Sequence, residues 1–149
     1  MHHALIRCGL VAAATLAAVV ATGNKAATVG TDVTTYHNDN ARTGQNLTET
    51  ALTSAVVRST TFGRIGLVAL DGKVDAQPLY LSGLNVPGLG GRDVLYAATE
   101  HGTVYAIDAG SLAPIWTKSM LGAGEAPSDA VGGCSQVTPE IGVTATPVI

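Results

Sequence analysis

Val94-Leu95-Tyr96-Ala97-Ala98-Thr99-Glu100-His101-Gly102-Thr103-Val104-Tyr105-Ala106-Ile107-Asp108-Ala109-Gly110-Ser111-Leu112-Ala113-Pro114-Ile115-Trp116 is the stretch that decides the fold. Apolar, β-branched and aromatic residues fill two runs, 93–99 and 103–108, and such residues suit a pleated, half-buried surface. Glu100-His101-Gly102 separates the runs as a tight turn. Residues 109–112 turn the chain again, and Pro114–Ser119 reads as a further short strand. No apolar 3.6-residue period lasts long enough for a substantial helix.

The same grammar extends outward. Residues 62–70 are mostly apolar and end at Asp71-Gly72, a dipeptide that favours a two-residue hairpin turn. The next strand is expected over 74–81, with Pro78 marking an edge or a bulge. Residues 83–92 hold four Gly and one Pro, which predicts a loop. Val74-Asp75-Ala76-Gln77-Pro78-Leu79-Tyr80 aligns with Val143-Thr144-Ala145-Thr146-Pro147-Val148-Ile149, 69 residues later. Val, Ala and Pro coincide. A propeller blade takes about 40–45 residues, and the Gly- and Pro-rich stretches 83–92 and 121–139 account for the larger spacing. The sequence therefore reads as a leader, one blade and the first strand of a second.

The N-terminal region has a different character. Arg7 precedes an uncharged run of 13 residues, 9–21, and Ala21-Thr22-Gly23 closes it with small residues. That is the pattern of a secretory signal peptide with cleavage after Gly23. The run falls short of the roughly 20 residues that cross a bilayer. The expected division is 1–23 signal peptide, 24–60 leader and 61–149 partial propeller, with secreted or periplasmic localisation. Cleavage removes Cys8 and leaves Cys134, which reads either as paired beyond this sequence or as a small buried hydrophobe. Residues 36–46 are dense in turn formers, 48–57 have room for one helical turn, and Asn46-Leu47-Thr48 matches a glycosylation acceptor pattern.

Composition narrows the function classes. The chain has 149 residues and a net charge of −3, with 46% hydrophobic, 13% charged and 4% aromatic residues. The low charge fraction excludes a coiled coil, the apolar content excludes a wholly disordered chain, and the net charge gives no footprint for nucleic acid.

The 94–116 stretch resembles a repeat of the quinoprotein alcohol dehydrogenase-like (PQQ-type) β-propeller family. Gly102 in the tight turn, Ala106, Asp108 and Trp116 sit at the family spacing. Ser111 stands for the usual Thr and Leu112 for the usual Gly. The resemblance implies an all-β propeller in which these residues lock one blade to the next, with Trp116 between blades and its indole N–H on a carbonyl of the neighbour. Residues 36–44 and 141–149 also look like exported members of the group. Family enzymes bind pyrroloquinoline quinone with Ca²⁺ at the propeller axis. Here Asp75, Glu100, Asp129 and Glu140 offer oxygens without a recognisable ligand pattern, and no catalytic residue is assigned. His37 and His101 lie 64 residues apart and form no metal motif. The expectation is a non-catalytic scaffold that binds a protein or glycan. The alternative is the first part of a quinone-dependent dehydrogenase with its cofactor residues downstream.

Overall fold

A computed structural model describes residues 32–129 and 137–149. The expected signal peptide, with Arg7, Cys8 and Gly23, and the expected behaviour of Cys134 lie outside the described residues. The described residues are all-β apart from one helical turn, α1 (Ser54–Val57), which Thr53 caps by accepting the Val56 N–H. Four strands, β1 (Leu79–Val86), β2 (Gly90–Ala98), β3 (Thr103–Asp108) and β4 (Pro114–Ser119), form an antiparallel meander in the order β1-β2-β3-β4. A two-stranded ladder of β5 (Ser128–Asp129) and β6 (Glu140–Ile141) follows. Among the described residues no helix is long and apolar enough to cross a membrane.

Strands β3 and β4 lie where the sequence puts them. The predicted loop at 83–92 does not. Its glycines serve strand ends, a turn and a bulge. Leu81 faces Val94 and Leu84 faces Arg92, so Ser82 and Gly83 bulge opposite Asp93, and Gly83 takes a φ of +60°. The Asp93 carboxylate accepts the Gly83 N–H at 2.8 Å. Pro87 and Gly88, at φ +79°, close the hairpin with Leu89 N–H donating to Val86 O. Those residues are what a type II turn requires.

Two upstream expectations are corrected. Residues 62–70 form no ladder, and Asp71-Gly72 makes no hairpin. The expected strand at 74–81 begins only at Leu79. Residues 66–71 instead run back along β3. Gly66 lies so close to Leu112, in the β3–β4 turn, that a Cβ there would collide with it. At the other end the Asp71 N–H donates to the Tyr105 hydroxyl, and Thr99 Oγ1 donates to the Asp71 carboxylate at 2.8 Å. Val68 and Leu70 are half-buried, while Ile65, Leu67 and Ala69 point outward. The segment has strand-like alternation without strand pairing.

The register sorts the side chains of the sheet. Leu79, Tyr96, Ala106 and Trp116 oppose one another in a row across all four strands. Tyr105 stands on the other face, opposite Ala97 and Thr117. The buried hydrophobic residues are Leu79, Val94, Ala97, Ala98, Ala106 and Ile107 in β1, β2 and β3, with Ala76 just before the sheet. At the outer edge of β1, Val33 bridges Tyr80. Residues 143–149, the second repeat copy, make no ladder and lie against the leader and the first copy. Gln77 N–H donates to Thr146 Oγ1, its equivalent in the repeat, at 2.8 Å, and Ile149 N–H donates to Thr34 O.

Candidate functional site

Two places concentrate chemistry: an apolar groove on one sheet face and a polar knot at the β2–β3 turn. The groove has a volume of about 170 Å³ and is lined by Leu84, Val86, Tyr96, Ala106, Ile115 and Trp116, among others. A bulge makes it. Ala106 pairs with Trp116 but Ile107 pairs with Pro114, so Ile115 is the extra residue. Two consecutive large side chains therefore line one groove. Ala106 is fully buried, and its small side chain leaves room for the Trp116 ring, whose centroid lies 6.0 Å from that of Tyr96. Trp116 remains 44% exposed, and its indole N–H has no acceptor among the described residues. A ring of this size gains most when both faces are covered.

Asp108 ends β3. Its carboxylate accepts the N–H groups of Gly110 and Ser111, at 3.0 and 2.8 Å, and meets Arg92 Nε at 3.2 Å. The Ser111 N–H, foremost, holds its carboxyl below the ordinary value. Leu112 takes a φ of +61°, a left-handed conformation that Cβ disfavours.

The polar knot grows from a three-residue hairpin loop. Thr99 and Thr103 close it, and Gly102 occupies the left-handed position at φ +78°. A Cβ on Gly102 would press on Leu121. Glu100 is only 1% exposed. Its Oε2 accepts the Gly142 N–H at 2.7 Å and the Thr144 hydroxyl at 3.0 Å, while its buried Oε1 has no partner. Next to it, His101 Nδ1 lies 2.7 Å from Glu140 Oε2. The hydrogen bond to Glu140, and then the charge of Glu140, raise the His101 pKa. Burial tends to raise the Asp71 carboxyl, but the hydroxyls of Thr103, Thr99 and Tyr105 outweigh it and lower that group. These contacts tie two chain segments, at Asp71 and at 140–144, to one turn.

Of the candidate oxygens, Glu100 and Glu140 meet at this turn, where His101 joins them. Asp75 is elsewhere, paired with Lys73 at 2.9 Å, and Asp129 is aligned with Glu140 through the backbone of β5 and β6. His37 stacks on Tyr36 and donates its backbone N–H to Gln77 Oε1. Asn46 Oδ1 accepts from both the amide and the hydroxyl of Thr48 in an exposed loop. The knot was hidden in the sequence because Glu140 and Thr144 lie about 40 residues from the turn they hold. The Thr-Glu-His-Gly-Thr turn chemistry was its one visible sign.

Among the described residues no group of three or more His, Cys, Asp or Glu side chains is placed to hold a metal ion. Ca²⁺ takes six to eight oxygens, so these residues do not fit a Ca²⁺–quinone centre, and no chemical step follows through one. Comparison with known proteins finds no matching family model, no matching curated protein and no matching solved structure.

Proposed function

We propose that this chain supplies a blade of an exported β-propeller of the quinoprotein alcohol dehydrogenase-like type, and that it works as a non-catalytic scaffold for a protein or glycan. One observation carries the reading. A sequential four-strand meander leaves an apolar face open at Trp116, which packs beside the small, buried Ala106. Propellers are built from four-stranded sheets packed face to face around an axis. In this role Trp116 docks on the neighbouring blade and gives its indole N–H to a carbonyl there. The polar knot makes the turn end of the blade rigid, and ligand recognition falls to loops at the blade ends.

The test is Trp116 emission together with solution mass, recorded over a concentration series. The expected result is association with a blue shift of the single tryptophan, and Trp116→Ala, followed by solution mass alone, is expected to abolish the association. A monomer with solvent-exposed emission at all concentrations overturns the docking role. Quinone-dependent dye reduction, measured with added pyrroloquinoline quinone and Ca²⁺, is expected to be absent. Turnover above background would return the protein to the dehydrogenase alternative.

A further inference from the structure

Residues 64–70 are a strand without a sheet. Ile65 is 92% exposed and Leu67 81% exposed. The backbone N–H and C=O groups of 63–70 have no partner among the described residues. On the inner side, residues 66–71 are held against the Tyr105 side of the sheet, from Leu112 at one end to Tyr105 and Thr99 at the other. A strand laid over a sheet face, with its own edges unfilled, is the seed of a second layer stacked about 10 Å away.

The same chain carries the complementary deficiency. The outer edge of β1 is bridged by Val33, but the outer edge of β4 has no ladder partner among the described residues. Strand β4 has six residues, and 64–70 is of matching length. The two cannot meet within one chain, because 66–71 lie above the plane of the sheet and β4 lies in it.

We propose that residues 64–70 of one copy add to the free edge of β4 in a second copy, as a fifth strand. This rests on the blade reading and gives it a mechanism of assembly. The orientation follows from what is already covered. In the second copy the Tyr105 face carries its own 64–70 segment, so only its Trp116 face is free to lie over the first copy. One contact therefore fills three vacancies: the backbone of 64–70, the edge of β4 and the groove at Trp116. The contact is head-to-tail, so copies continue until the rotation closes a ring or runs on as a filament. Main-chain pairing supplies the attachment and alternate side chains the register, as in other cases of strand addition.

The test uses the full chain, expressed for export, with Cys8→Ser and Cys134→Ser. One preparation carries Leu67→Cys, and a second, isotopically heavy, carries Thr117→Cys. They are mixed, oxidised and weighed by mass spectrometry, in soluble and sedimented fractions alike. Parallel pairs use Ile65→Cys or Ala69→Cys with Thr117→Cys or Ser119→Cys, which share the Tyr105 face of the sheet. The expected result is a light–heavy disulfide in one register, at least ten-fold above the same-type dimers and out-of-register pairs. Val68→Pro is expected to reduce it to background. Association with a blue-shifted Trp116 but no register-specific cross-link overturns strand donation and leaves the blade reading standing. A monomer with exposed Trp116 overturns both.

Discussion

Leu112 shows how one residue reports on its turn. Its φ of +61° suits Gly, yet its side chain packs where Gly66 leaves room for it. Backbone cost and side-chain contact oppose each other, so Leu112→Gly alone is uninformative. Comparing Leu112→Gly with Leu112→Ala isolates the backbone. The Gly variant is expected to be more stable by about 1 kcal/mol in urea unfolding, the cost of holding an L-residue in that conformation. Equal stabilities would mean that the turn relaxes. His101 reports on pH. Its pKa is raised from 6.5 by Glu140, so the protonated form is favoured in the fold. The contribution is fully present below the unfolded value and is lost as pH rises through the raised one. NMR titration of the His101 ring should show the raised value, and Glu140→Gln should return it toward 6.5. An unchanged titration in that variant would remove Glu140 as the cause. Glu100 is a third case. Glu100→Ala leaves the Gly142 N–H and the Thr144 hydroxyl without their acceptor, a loss of about 2–4 kcal/mol, whereas Glu100→Gln keeps an acceptor and should lose less. If the two variants unfold alike, the contacts to 142–144 contribute little.

Elements were legible where local chemistry and tertiary context agreed. The run 103–108 and its neighbour 114–119 carried β-formers between turns and became β3 and β4 with those bounds. The stretch 83–92 misled because Gly and Pro signal both loops and the special positions within strands. Gly83 at a bulge and Pro87-Gly88 in a two-residue turn are the second kind. Gly88→Ala is therefore expected to cost about 1 kcal/mol, since its φ of +79° disfavours a Cβ. Thermal unfolding measures this, and a neutral result would mean that the turn tolerates another type. Residues 62–70 misled in the opposite sense. Their exposure alternates over 67–70, but a ladder needs a second strand, and none pairs with them among the described residues. Periodicity predicts which side chains share a face, not whether the backbone finds a partner.

At the scale of the molecule, all-β character followed from the repeated short strands. The site at the β2–β3 turn did not, because Glu140, Gly142 and Thr144 reach Glu100 and His101 only through the tertiary fold. Repeat positions Gln77 and Thr146 gave no hint in sequence that they would touch. The order β1-β2-β3-β4 has a further consequence, in the kinetics of folding. Each strand pairs with the one just made, across turns of a few residues, so the ladder contacts are local in sequence. Low contact order favours fast folding at comparable stability. The meander can therefore complete itself before any neighbour arrives. In the proposed assembly, encounter between finished sheets is then the slow, concentration-dependent step.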